Sequence, residues 1–137
     1  MSVMYTAKVE VTGGRTGSAR SEDGQLDAPL AFPGAMGGDG RGTNPEQLFA
    51  AAHAACFATT IAFVAKNEGS PIAPVNVTSE VDVSHADGRF SLAARLYVHR
   101  GDVDLACLED LVEKAKAACP YSRMAHATLP TTVTIVG

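Results

Sequence analysis

Residues 48–65 constrain this chain more than any other stretch: eighteen consecutive residues without a charge, eight of them alanine. That length reaches the threshold for a membrane span, yet alanine is only weakly hydrophobic, and His53, Thr59 and Thr60 interrupt the run. Alanine is also the best helix former, and its small side chain lets neighbouring elements approach closely. The stretch therefore reads as a helix buried on most sides of a soluble domain, not as a span. Asn44 is a good N-cap, Pro45 suits the first helical position, and Gln47 stands where a capping box would place its second member. The helix is expected to run to about Asn67, with Gly69 past its end and Pro71 forbidding continuation.

Strands fill most of the remainder. Tyr5, Ala7, Val9 and Val11 alternate with Thr6, Lys8, Glu10 and Thr12, the period of a strand with one buried face, until Gly13-Gly14 breaks it. Residues 18–22 and 25–30 flank Asp23-Gly24, which predicts a tight hairpin. Residues 33–43 hold five glycines, so they form a mobile loop, either a plain solvent loop or a lid or pocket wall. Val75, Val77, Ser79, Val81 and Val83 alternate up to a turn at Asp87-Gly88, and Phe90, Leu92, Ala94, Leu96 and Val98 share a face after it. Leu105, Leu108, Val112 and Ala115 keep helical spacing, with Asp104, Glu109 and Asp110 early and Lys114 and Lys116 late, as the helix dipole favours. This second helix ends near Cys119, and residues 131–136 close the chain as a strand. The order predicts a single α+β domain over residues 1–137, with mostly antiparallel sheets around a buried central helix.

At 137 residues the chain can bury about two thirds of its unfolded surface, so no disulfide staple is needed. A net charge of −4, with eleven basic residues scattered singly, gives no electrostatic footprint for nucleic acid. The first residues, Met1-Ser2-Val3-Met4-Tyr5-Thr6-Ala7-Lys8, lack the basic flank and apolar run of a secretory signal, which predicts a cytoplasmic location. Three cysteines in a reducing compartment point away from a structural framework and toward transient redox chemistry.

Cys56, mid-helix among Ala55, Phe57 and Ala58, reads by position alone as a small inert core residue; only a nearby cation would overturn that. Cys119 precedes Pro120, which either simply stops a helix or opens a short new one. In the second case Cys119 is the N-cap, and its thiolate is stabilised by free backbone N–H groups. Cys107, with no basic neighbour, reads as packing. His53 and Cys56 lie three apart on one helical face, and Cys119 and His126 lie seven apart, but the chain has no compact Cys-x-x-Cys or His-x-x-x-His pair, so no metal site is expected.

Three segments in order, Gly13-Gly14-Arg15-Thr16-Gly17, then Gly42-Thr43-Asn44-Pro45-Glu46-Gln47-Leu48-Phe49-Ala50-Ala51 leading into Ala54-Ala55-Cys56-Phe57, then Cys119-Pro120-Tyr121-Ser122, resemble the signatures of the organic hydroperoxide resistance (Ohr) proteins. These belong to the OsmC/Ohr superfamily of thiol-dependent peroxidases. The resemblance runs from Tyr5 to Val136. It departs at Thr16, Ala52-His53, Lys116 and Thr128-Leu129-Pro130. It implies an OsmC/Ohr-like fold in an intertwined homodimer and an organic hydroperoxide reductase. Cys56 would be the peroxidatic cysteine and Cys119 the resolving one, with Arg15 the cation beside the reactive thiolate and Glu46 the carboxylate that orients Arg15. No bound cofactor is implied; dihydrolipoamide or a lipoylated protein would be the external reductant.

Arginine suits that role because it stays charged and its planar fork can meet a carboxylate on one edge and a thiolate or peroxide oxygen on another. Glu46 and Cys56 are ten residues apart, about 15 Å along a straight helix. A single Arg15 serving both therefore needs a bend, a long reach or a second subunit, and we expect the network to draw on both chains of a dimer. Phe49, Phe57, Phe32 and Met36 either form a greasy entrance favouring alkyl or fatty-acid hydroperoxides or are core residues only. Two rival readings keep the same fold: a thiol-based redox sensor, which would need an effector or DNA-binding segment, and a non-catalytic binding domain, which would leave Cys56 unreactive.

Overall fold

The computed structural model spans residues 1–137 and describes the backbone throughout and every side chain except those of His126 and Ala127. The chain divides into two compact units, Met1–Leu48 and Phe49–Gly137.

In the first unit, strands β1 (Val9–Thr12), β2 (Ser18–Ser21) and β3 (Asp27–Pro29) form an antiparallel meander in that order. Ala19 faces Val11 on one side and Ala28 on the other. The alternation that begins at Tyr5 becomes a strand only at Val9, and all four residues of β1 are exposed, Val11 at 53%. The expected buried face is thus absent: among the described residues of this unit the buried hydrophobics are Ala19 and Leu30, too few to cover it. The turn after β2 spans residues 22–26 and is wider than a two-residue hairpin, because Asp23 accepts from both the Ser21 hydroxyl and the Gln25 N–H. The glycine-rich loop is pinned at its base, where Ala31 N–H donates to Thr43 O and Thr43 N–H to Pro29 O.

Between β1 and β2 a 3-10 turn, Gly14–Thr16, carries Arg15. Gly13 and Gly14 have φ of 76° and 58°, and a Cβ on Gly17 would fall 1.6 Å from the Thr12 carbonyl oxygen. No rotamer can relieve a clash with backbone. Gly17→Ala is expected to destabilise the chain by about 1–3 kcal/mol, the range of overpacking, read as a lower urea midpoint at unchanged slope.

Helix α1 (Pro45–Asn67) begins as its sequence dictates: Asn44 Oδ1 accepts the Gln47 N–H at 2.9 Å. The Gln47 side chain does not close the capping box but accepts from the Thr43 hydroxyl at 2.8 Å. At the far end Ser70 N–H reaches Ala65 O, and Gly69 takes φ 79°, a Schellman-type stop.

In the second unit β4 (Val77–Ala86) and β5 (Arg89–His99) form the long hairpin, and Asp87 and Gly88 both take positive φ, 52° and 72°, as a type I′ turn needs. Helices α2 (Leu105–Ala118) and α3 (Pro120–Thr128) then lead to β6 (Thr131–Val136), which pairs parallel to β5. The fold is α+β as expected, with one parallel pair. Its core joins Phe57, Ile61 and Ala65 of α1, Leu96 and Val98 of β5, and Leu108, Leu111, Val112 and Ala115 of α2 to Cys119.

Three expectations about burial fail. Helix α1 is not buried on most sides: His53, Phe57, Ile61 and Ala65 face inward, whereas Ala51, Ala55, Thr59 and Phe63 form an exposed row. An alanine-rich helix has no strongly polar face, so its sequence cannot say how many sides are covered. Leu105 is 43% exposed, and Leu111, not Leu105, completes the buried stripe of α2. Cys107 does not pack in the core: it is exposed in the first turn of α2, where its N–H donates to the N-cap Asp104.

Candidate active site

Arg15 and Glu46 meet as a two-pronged pair, 2.9 Å from Nη1 to Oε2 and 2.6 Å from Nη2 to Oε1. Their side chains are 31% and 13% exposed. The Arg15 guanidinium also lies over the Phe32 ring, 5.7 Å from its centroid. Glu46 stands in the first turn of α1, where the helix dipole favours an anion. The hydrogen bonds to Arg15 hold its carboxyl below the usual glutamate range, against the opposing effect of burial. The same bonds raise the Arg15 guanidinium, so it stays charged at any working pH. The Arg15–Glu46 half of the expected network forms within one chain; a turn of consecutive glycines lets residue 15 reach the helix start.

The pair makes a pH prediction. A carboxylate whose folded pKa is depressed contributes stability that is present above its unfolded value and lost as pH falls through the folded one. Relative to Glu46→Gln, the parent chain should lose an advantage of about 1–3 kcal/mol, the scale of charged hydrogen bonds, as pH falls below about 4.3. Urea unfolding of both chains between neutral and acid pH measures it.

Cys56 and Cys119 meet 63 residues apart, with sulfurs separated by 3.3 Å. Helix α3 does begin at Pro120, with Cys119 as its N-cap, and Arg123 N–H closes the first turn on Cys119 O. Cys119 is fully buried, whereas Cys56 is partly exposed, so only Cys56 can be reached from solvent. Burial pushes the Cys56 thiol up, and its place beside Cys119 adds to that; the Tyr121 N–H and the Thr60 side chain only partly offset it. For Cys119, burial opposes the thiolate but is outweighed by the Ser122 N–H, the Cys56 thiol, the Ser122 hydroxyl and the Tyr121 N–H, which together hold it below the ordinary thiol value. The place of Cys119 at the head of α3 favours a thiolate there over one at mid-helix Cys56. That is opposite to what an attacking Cys56 requires, and moving the charge onto Cys56 calls for a cation.

The structure therefore joins Arg15 to Glu46 and Cys56 to Cys119. Sequence reasoning missed Thr60 and Ser122; the signals were Thr60 one turn after Cys56 and Ser122 at the third position of the helix that Cys119 caps. Phe57 is 0% exposed and belongs to the core, not to an entrance. Phe49 instead lines an open apolar groove with Phe90, Leu92, Met124 and Leu129. Among the described residues no group of three or more His, Cys, Asp or Glu side chains gathers to hold a metal, and the side chain of His126, considered with Cys119 for such a site, lies outside the described residues.

Residues 38–134 match the family model of the OsmC-like proteins. The chain is 41% identical over 135 residues to an organic hydroperoxide resistance protein of Xanthomonas axonopodis pv. citri, covering 97% of this chain and 95% of that one. The chain belongs to the OsmC/Ohr family. Solved Ohr structures share its fold: that of an organic hydroperoxide resistance protein from Legionella pneumophila superposes with a TM-score of 0.92 at 36% identity, covering 99% of this chain and all of the other. OhrB of Bacillus subtilis gives 0.88 at 36% identity, covering 98% of this chain and all of the other. Within this Ohr chain the resemblance read from three short segments extends over nearly the whole length.

Proposed function

We propose that this Ohr chain is a thiol-dependent peroxidase that reduces organic hydroperoxides, alkyl or fatty-acid, to alcohols, with residues 1–137 acting as one OsmC/Ohr-like domain. The observation that carries the reading is the dithiol: a reachable Cys56 within 3.3 Å of a buried Cys119 that caps a helix. The names of its relatives, organic hydroperoxide resistance proteins, support the substrate class.

The Cys56 thiolate attacks the hydrogen-bearing oxygen of the hydroperoxide; the O–O bond breaks, and the alkoxide leaves and takes up a proton as the alcohol. Cys56 is left as a sulfenic acid. The Cys119 thiolate attacks that sulfur, and hydroxide departs and is protonated to water, closing a Cys56–Cys119 disulfide. A dithiol, dihydrolipoamide or a lipoylated protein, then exchanges with the disulfide and restores both thiols. Arg15, held in place by Glu46, is the cation that brings the charge onto Cys56 and stabilises the departing alkoxide. The exposed row of α1 and the bare apolar residues of β1 are surfaces for a second copy, which supports a homodimer.

The test is turnover of cumene hydroperoxide with dihydrolipoamide, together with mass mapping of the oxidised chain. Alcohol production with a Cys56–Cys119 bridge is expected. No consumption and no bridge would remove the enzyme reading. A bridge formed stoichiometrically without reduction by any dithiol would favour a redox sensor, and an inert Cys56 a binding domain.

A further inference from the structure

Arg15 is held from two sides. Glu46 binds both of its terminal nitrogens, and the Phe32 ring lies under the same guanidinium, 5.7 Å from ring centroid to Cζ. The two contacts do different things. Paired bonds fix the guanidinium relative to the carboxylate, but arginine and glutamate each hang on several rotatable bonds, so the pair can swing together. A phenyl ring turns about two torsions only, and its π face attracts a cation lying over it within about 6 Å. The ring supplies the fixed point that the ion pair by itself lacks.

The backbone that carries Phe32 is tied down on both sides. Ala31 N–H donates to Thr43 O at 3.0 Å, and the Phe32 carbonyl oxygen accepts from Gly40 N–H at 3.1 Å, across the glycine-rich loop. Gly38 comes so close that a Cβ there would fall 2.0 Å from Phe32 O and 2.5 Å from Phe32 Cβ. Thr43, at the base of the loop, donates its hydroxyl to the Gln47 side chain, next in sequence to Glu46. The loop thus folds back on Phe32, and the ring and Glu46 are placed by one short stretch of chain. Phe32 is only half-buried, so burial alone does not account for a loop folded onto it.

We propose that Phe32 is a positioning residue, whose ring holds the Arg15 guanidinium in one orientation on Glu46. Why that orientation matters rests on the proposed function, in which Arg15 meets negative charge at a set place; the contact itself does not rest on it. Phe32 touches no peroxide in this role. Its effect passes wholly through Arg15 and is blind to the size of the alkyl group.

The full chain is labelled with nitrogen-15 arginine, and the Arg15 signal is identified by its loss in Arg15→Lys. The order parameter of Arg15 Nε–H should lie in the rigid range, about 0.85, in the parent and in Phe32→Tyr. In Phe32→Leu, which keeps apolar bulk but has no π face, it should fall into the flexible range, below about 0.6. Phe32→Leu should lower kcat/KM about three- to tenfold, by the same factor for tert-butyl and cumene hydroperoxide, whereas Phe32→Tyr should stay within about twofold of the parent. In an Arg15→Ala chain, Phe32→Leu should cost nothing further. The proposal is overturned by an Arg15 order parameter indifferent to Phe32→Leu, or by a Phe32→Tyr loss as large as that of Phe32→Leu. A loss confined to the bulkier hydroperoxide, or a full further loss on top of Arg15→Ala, would also overturn it. Should even the parent consume no peroxide, the peroxidase reading fails, and the order parameters alone uphold or overturn the positioning of Arg15.

Discussion

Replacing Cys56 by serine is expected to abolish consumption of an organic hydroperoxide, lowering kcat/KM by at least about 10⁴-fold, because in the proposed reaction the nucleophile cannot be replaced by its neighbours. The fold should survive: serine is smaller than cysteine by little, and Cys56 is only partly buried at the edge of the core. Cys119→Ser should behave differently. Its first turnover proceeds, one equivalent of peroxide disappears, and Cys56 stays as a sulfenic acid that a dimedone-type probe labels. Cys107→Ser should change nothing, since Cys107 is exposed on the first turn of α2. Stopped peroxide assays with mass mapping distinguish the three. A Cys56→Ser chain that keeps even a tenth of the parent rate would show that the acidity order of the isolated dithiol, with Cys119 favoured, also governs attack.

Arg15→Ala is expected to cost about 10²–10³-fold in kcat/KM for the hydroperoxide, the scale of removing one preorganised group that meets developing negative charge. Burial and the adjacent Cys119 both work against a thiolate on Cys56, and the neutral groups that favour it, the Tyr121 N–H and Thr60, do not suffice. Only a fixed positive charge reverses that order. Arg15→Lys should recover little, because an ammonium cannot reproduce the two parallel bonds to Glu46. Glu46→Gln should cost less than Arg15→Ala, since the charge survives and only its orientation is loosened. The pH dependence of Cys56 alkylation gives an independent reading: in Arg15→Ala the reactive thiolate should appear at higher pH. A rate within a few-fold of the parent would remove Arg15 from the reaction.

These two predictions rest on features that differ in how far the sequence exposes them. What the sequence determined by itself is local. Asn44 caps α1, Gly69 ends it, Asp87-Gly88 turns the long hairpin, and Pro120 opens α3 with Cys119 at its head. Each of these is decided by hydrogen bonds and backbone torsions within a few residues, so the residue types alone carry the answer. The resemblance in three short segments named the four candidate residues, and the whole-length match to Ohr proteins agrees with the family it implied.

Tertiary structure decided everything that depends on which surfaces meet. Arg15 pairs with Glu46 across 31 residues of the same chain, Phe57 turns into the core, and Cys107 turns out to solvent. His53, an interruption in an apolar run when read along the sequence, becomes the buried partner of Ser122 sixty-nine residues away. No periodicity distinguishes the sides of a helix that is alanine on nearly all of them, and no local rule brings two cysteines on different helices to within 3.3 Å. Contacts of that separation are set by packing of the whole chain, which is why the sequence named the candidate groups while only the fold assigned their neighbours.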